Sequence, residues 1–400
     1  LGPQAALIAV DVRNHEIVAA VGSYEALSGG LDRTIQSKRQ PGSTFKPLLY
    51  SYALHSRQVT AATHFTFPFE PAKGAPAPAP DAPLAMESLS LREGISRSDN
   101  RVAREVLARV GADSVVAWAH ALGIRSQLGA TESLALGAYE VTPLEMVTAF
   151  SVFASGGTLS EPTFVRKVES GGGDLPLPAR PPARPVIDPE VAYLTTSLLQ
   201  SVVQQGTGQR AKSLGRPVAG KTGTTNQAKD AWFVGYSPEY VVAVWVGYDD
   251  TLPLGWAESG ASAALPIWVD FMKAAHQGTP VTEFPRPSGL VEVSLDPLSG
   301  LLARPAQSDA YAELFLPGTE PTEVAPEIAP TEPVPSPGPG APEPTTPTEP
   351  SAEPSSPTGA KLPALLDGDL VLPPPDPPPP PPPPPPSAAD PPPADEPPPF

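Results

Sequence analysis

The period of the apolar positions changes twice along this chain. Residues 5–12 and 16–22 are short runs rich in aliphatic residues, separated by Arg13, Asn14 and His15, a pattern that predicts an opening hairpin. After the Gly29-Gly30 turn, Arg39-Gln40-Pro41-Gly42 forms a non-helical lead-in, and a helix is expected from Ser43 through Leu54. Helical spacing then continues near residues 86–93, 100–110, 112–122, 143–154 and 189–204, with Gly156-Gly157 closing the fourth of these. From residue 218 the strand period returns, over 218–222, 231–236 and 240–247, with Ser237-Pro238 as a turn. Strands at both ends with helices between them predict an α+β fold, in which an antiparallel sheet unites the ends of the domain and a mostly helical subdomain lies between. Residues 289–295 add a small β appendage.

Composition divides the chain further. Of the 60 prolines, 34 fall between residues 317 and 400, together with 13 acidic residues and the single Lys361. That tail carries a net charge of −12 out of −17, so the rest of the chain is close to −5, an ordinary balance. The Pro/Glu/Thr/Ser mixture and the polyproline run 377–386 cannot build a packed core and read as disordered or extended, and 68–83 reads as an exposed Pro/Ala loop. The expected organisation is therefore a domain over 1–280, a β appendage over 281–316 and a tail over 317–400. No basic patch interleaved with aromatics argues for nucleic acid. With no cysteine, thiol chemistry and zinc-thiolate sites are excluded, and the five histidines lack metal-ligand spacing, so no metal or cofactor is expected. The chain starts at Leu1 inside a strand-like run and has no apolar stretch of membrane-spanning length, so it reads as part of a longer chain whose anchor would lie upstream.

The chemistry lies in three strings: Ser43-Thr44-Phe45-Lys46, Ser98-Asp99-Asn100 and Lys221-Thr222-Gly223. A serine hydroxyl is a poor nucleophile at neutral pH and needs a base, and a lysine three residues later on a helix shares its face. Singly the strings are ordinary; S-x-x-K alone is expected about once or twice by chance in a chain this long. Their order, and the predicted element under each, carry the inference: Ser43 opens a helix, Ser98 and Asn100 begin another, and Lys221 to Thr224 fall on a strand. Ser96 is a decoy, because Ser96-Arg97-Ser98 lacks the asparagine.

With those strings, residues 4–22, Arg39 to Pro47, Glu140-Val141-Thr142-Pro143, Gly206-Thr207-Gly208 and residues 220–235 make the chain resemble the transpeptidase domain of bifunctional, class A penicillin-binding proteins, over roughly residues 4–275. The resemblance implies the penicillin-binding, serine β-lactamase-like transpeptidase fold. It also implies a D,D-transpeptidase in which Ser43 attacks the penultimate D-Ala of a peptidoglycan stem peptide. Lys46, held neutral, would take the serine proton, and Ser98 would relay a proton to the leaving amine. Asn100 would bond the substrate amide and place Lys46. Lys221, Thr222 and Thr224 would receive the substrate carboxylate, Gly223 would let substrate approach the strand, and the Ser43 and Thr224 amides would form the oxyanion hole. Implied partners are a D-Ala-D-Ala donor, an amine acceptor, β-lactams and cell-wall assembly proteins. The implied location is the extracytoplasmic face of the membrane. Glu161-Pro162 lacks the asparagine of a class A β-lactamase deacylating site, since Val165 stands there, and Trp232 and Phe233 read as core. The rival readings are a D,D-carboxypeptidase or β-lactamase using the same acyl-enzyme, and a catalytically silent penicillin-recognition sensor or scaffold.

Overall fold

The computed structural model describes residues 2–24, 30–69, 85–255 and 258–327, all within one compact unit, Leu1–Ala329. The tail from residue 328 and most of the Pro/Ala segment expected as a loop lie outside the described residues. A five-stranded antiparallel sheet joins β1 (Gln4–Asp11) and β2 (Ile17–Val21) to β3 (Ala219–Thr224), β4 (Asp230–Tyr236) and β5 (Tyr240–Gly247), in the order β2-β1-β5-β4-β3. β1 pairs with β5 along its whole length, from Gln4 opposite Gly247 to Asp11 opposite Tyr240, so the sequence ends of the domain meet at the centre of the sheet.

Strand alternation gives the sheet two buried faces. Ile8, Val10, Trp232, Val234, Tyr236, Val241, Ala243 and Trp245 face the main core. That core is filled by α1 (Lys46–His55), α2 (Leu91–Arg97), α3 (Asn100–Val110), α4 (Ala112–Ala121), α5 (Pro143–Ala154) and α6 (Pro189–Gln205). Leu7, Ala9, Phe233, Val242 and Val244 face the other way, against α7 (Leu265–Ala275). Helix α1 has buried residues all around, from Lys46 to Leu54, which fits a helix sunk in the middle of the subdomain. Past α7, β6 (Val291–Leu295) and β7 (Tyr311–Phe315) pair as an antiparallel ribbon, and Leu295 and Phe315 close over Ala62.

Two features depart from the sequence expectation. Residues 86–93 were expected to be helical, but Met86–Ser90 is a strand paired with His64–Pro68, and α2 starts only at Leu91. Ser90 decides the boundary: its hydroxyl accepts the Glu93 amide while the Glu93 carboxylate receives the Ser90 amide, a capping box that starts the helix there. Helix α7 was missed, although Leu265, Trp268, Val269 and Met272 have helical spacing and are all buried. Its entry through a π-helical turn, Gly260–Ala264, and Pro266 in its first turn obscured it. Trp268 is fully buried, meets Phe233 edge-on at 5.0 Å and donates its indole N–H to the Val242 carbonyl at 3.2 Å. Trp268→Ala should therefore cost about 3–5 kcal/mol, read as a lowered denaturant midpoint. An unchanged midpoint would mean that α7 contributes little to holding the sheet.

Candidate active site

Ser43 sits in a short 3-10 turn, Gly42–Phe45, that runs straight into α1. Gly42 makes this possible. Its φ of +54° is left-handed, and a Cβ on it would lie 2.9 Å from the Thr224 carbonyl oxygen and 3.3 Å from the Thr224 nitrogen. The nucleophile turn thus lies directly on β3, an edge strand of the sheet. Gly223 matters for the same contact: a Cβ there would collide with the Pro41 carbonyl oxygen and sit 2.9 Å from Thr44 Cγ2. The sequence expectation gave Gly223 to substrate approach, but what approaches it in the structure is the turn that carries Ser43.

The second string lies at the junction of α2 and α3. Ser98 is the C-cap of α2 in the left-handed conformation, φ 60° and ψ 33°, a strained position for a residue with a side chain. Asp99 N-caps α3 through the Arg101 and Val102 amides and holds the Arg101 side chain at 2.7 Å, so it is spent on local structure. Asn100 opens α3 and is exposed.

Both lysines converge on Ser98. Lys46 Nζ donates to the Ser98 carbonyl at 2.7 Å, the Asn100 Oδ1 at 2.7 Å and the Asp99 carbonyl at 3.2 Å. Lys221 Nζ donates to the Ser98 hydroxyl at 2.9 Å and to the Thr222 carbonyl at 3.0 Å. Both side chains are fully buried. Burial pushes the Lys46 amine down to about 8, with the Asp99 charge opposing and the Arg104 charge reinforcing the shift. Burial, and then the charge of Lys46, holds Lys221 well below its ordinary value. The shift at Lys46 runs in the direction that the expected neutral amine requires. Three acceptors surround the Lys46 amine: the Ser98 and Asp99 carbonyls and Asn100 Oδ1.

The third string completes the wall. The Thr225 amide bonds the Asp230 carbonyl at 3.1 Å on β4, so strand alternation turns the Thr224 amide to the open edge, beside Ser43. The Thr224 hydroxyl accepts the Gly260 amide at 3.0 Å and keeps its own proton to donate. Thr222 Oγ1 lies 2.5 Å from Thr207 Oγ1. Sequence reasoning assigned no role to Thr207 or Gly260. The Gly206-Thr207-Gly208 string was the available signal for Thr207, because a Cβ on Gly206 would collide with the Ser96 carbonyl. Gly260 carried no comparable signal. The remaining expectations fall to structure: Ser96 is buried against Ser201, Trp232 is fully buried with its indole N–H on the Gln40 carbonyl, and Glu161 pairs on the surface with Arg125. Among the described residues no group of His, Asp or Glu gathers as a metal site, and no helix is long and apolar enough to cross a membrane.

Residues 5–273 match the model of the penicillin-binding protein transpeptidase domain. The chain belongs to this transpeptidase family. Residues 286–329 match a second model, the C-terminal domain of penicillin-binding protein 1A. Among relatives, penicillin-binding protein 1A of Pseudomonas aeruginosa is 34% identical over 368 residues, covering 78% of this chain and 45% of that protein. That of Neisseria gonorrhoeae is 39% identical over 302 residues, covering 72% and 38%. The chain thus spans less than half the length of these relatives. The crystal structure of penicillin-binding protein 1A from Haemophilus influenzae superposes with a TM-score of 0.71 at 30% identity, covering 81% of this chain and 55% of that one. PonA1 from Mycobacterium tuberculosis in complex with penicillin V gives 0.61 at 25% identity, covering 72% and 81%.

In this transpeptidase domain, Gly223→Ala should push β3 away from the Ser43 turn at a stability cost of about 1–3 kcal/mol. Labelling by a fluorescent penicillin should fall at least tenfold more than the loss of folded protein explains. Labelling at the parental rate would show that the contact has slack.

Proposed function

We propose that the chain is the peptidoglycan cross-linking part of a penicillin-binding protein, a serine D,D-transpeptidase inhibited by β-lactams. Residues 1–280 carry the chemistry and 281–327 the appendage, in which Leu302 exchanges backbone hydrogen bonds with Glu323 and Ala325, so the expected boundary at 317 falls inside the packed module. The observation that carries the reading is the meeting of two buried lysine amines on Ser98, one of them Lys46, three residues after the serine in the turn that leads into α1.

In the first step Ser43 Oγ attacks the carbonyl of the penultimate D-Ala and its proton passes to Lys46. An ester forms at Ser43, the peptide bond breaks, and the terminal D-Ala leaves after its nitrogen takes a proton through Ser98. In the second step the amine of a neighbouring stem peptide attacks the ester, an amide forms, and Ser43 regains its proton. The positive end of the helix that opens at Gly42, with the Ser43 and Thr224 amides, faces the developing oxyanion, where fixed donors are worth several kcal/mol. The open edge of β3 receives the donor peptide as an added strand, and Asn100 bonds its amide. Thr222, Thr224 and Lys221 take its carboxylate.

Carboxylate binding also sets the proton inventory. A negative charge beside Lys221 favours its ammonium, and a second positive charge at Ser98 then disfavours the proton on Lys46. Substrate thereby generates the base it needs. The protein works at the extracytoplasmic face of the membrane, in company with other cell-wall assembly proteins, and is held there by a part of the protein outside this sequence.

Ser43→Ala should abolish covalent labelling by fluorescent penicillin while the variant stays folded; labelling that persists would remove Ser43 as nucleophile. A lysine whose folded value is lowered to about 8 loses its proton as pH rises through that value. The second-order acylation rate should therefore be about tenfold lower at pH 7 than at its plateau above pH 9. A flat profile from pH 6 to 9 would show that Lys46 is not the base.

A further inference from the structure

Helix α2 is seven residues long and ends on Ser98, where the two lysines meet. Its last turn is held within the transpeptidase domain: Ser96 Oγ lies 2.9 Å from Ser201 Oγ on α6, and the Thr207 amide donates to the Ser96 carbonyl at 3.2 Å. Its first turn is held from both sides: the Leu91 and Arg92 amides donate to the Thr63 and Ala61 carbonyls at 2.9 and 3.1 Å within that domain, and the Arg92 side chain reaches outside it. Arg92 donates through Nε to Glu313 Oε2 at 2.7 Å and through Nη2 to Glu313 Oε1 at 2.6 Å. The same guanidinium reaches α6, with Nη1 on the Ser197 carbonyl at 2.9 Å and Nη2 on Ser197 Oγ at 3.1 Å. Glu313 is 2% exposed, accepts the Leu314 amide at 2.9 Å as well, and stands on β7 inside the C-terminal module matched at 286–329.

A two-toothed ion pair fixes orientation as well as distance. The module does not need it for attachment. Leu295 and Phe315 already pack on Ala62, Leu316 joins the main core, and a buried ion pair is seldom more stabilising than apolar residues of the same volume. Six residues at 1.5 Å each put Arg92 and Ser98 about 9 Å apart along the helix, so a tilt of a few degrees at Arg92 moves Ser98 by a sizeable fraction of an ångström. Misplacement of about 1 Å at a reacting centre can cost 10²-fold in rate.

We propose that the C-terminal module sets the position of Ser98, and through it of Lys46 and Lys221, by the Arg92–Glu313 ion pair. Arg92 and Glu313 are then positioning residues for acylation, and the module is a control element of the active site. This rests on Ser43 being the acylated residue.

The test uses the full chain and a fluorescent penicillin, resolving the acylation rate constant from the affinity of the non-covalent encounter. The double variant Arg92→Met with Glu313→Leu replaces both charges by apolar volume. It should melt within a few degrees of the parent, bind the penicillin within twofold of parental affinity, and acylate at least tenfold more slowly. The single variant Glu313→Gln, measured well below its own melting midpoint, should show the same split, and it decides the matter if the double variant does not fold. Arg125→Ala, which breaks an exposed ion pair, should change neither constant. A folded variant that acylates at the parental rate overturns the proposal, as does a loss of affinity in step with rate, which would mark general damage. A parent chain that is not labelled at Ser43 overturns the catalytic reading and this one together, whereas a labelled parent with an unaffected variant overturns the coupling alone.

Discussion

Two lysine amines share one serine in a water-poor pocket, and among the described residues no carboxylate bonds either of them. Lys46 holds the Ser98 carbonyl and Lys221 the Ser98 hydroxyl. Two full charges so placed would repel each other in a medium that screens poorly, so the pair resists holding both protons. A lysine in water is an ammonium at neutral pH and useless as a base. Here the loss of water lowers both amines, and the charge of Lys46 adds to the shift at Lys221. The arrangement is expensive to build, because three separate parts of the chain must meet within hydrogen-bonding distance: the start of α1, the junction of α2 and α3, and the edge strand β3.

The rest of the molecule can be understood as what makes that meeting hold. Closing β1 against β5 brings residues from opposite ends of the domain into one sheet, and β3 becomes one of its edges. The two buried faces then immobilise the sheet from both sides, with the helical subdomain on one and α7 on the other. Against this fixed wall the Ser43 turn approaches so closely that neither Gly42 nor Gly223 has room for a side chain. Arg39 reinforces the same turn from behind: it exchanges two backbone hydrogen bonds of 2.9 Å with Val141, and its guanidinium lies over the Trp245 ring.

What the sequence disclosed depended on whether the cause was local. The opening hairpin, α1, α3 to α6 and the three later strands follow from period and capping within single segments, and they lie close to where the pattern put them. The three candidate strings were visible as local spacings, but the second does not open one helix as expected: Ser98 caps the end of α2 and Asn100 opens α3. Residues 86–93 misled because a strand and a helix meet inside one apolar run, and only the Ser90–Glu93 capping box divides them. The reason for Gly223 was hidden because it depends on Pro41, which is distant in sequence.

An exposed edge strand is normally a liability, since its unpaired amides and carbonyls invite a foreign strand. Here β3 is one of the two edges of the sheet, the other being β2, and along it stand the residues that line the candidate site. Thr222 and Thr224 face the open side by alternation, whereas Gly223 and Lys221 turn their backbone groups into the sheet and toward β4. A peptide that pairs with such an edge is aligned by backbone hydrogen bonds independent of its side chains. The liability and the specificity are therefore one property. The invitation is safest when it is confined to a short segment, and β3 is six residues long, with Thr224 alone of them exposed.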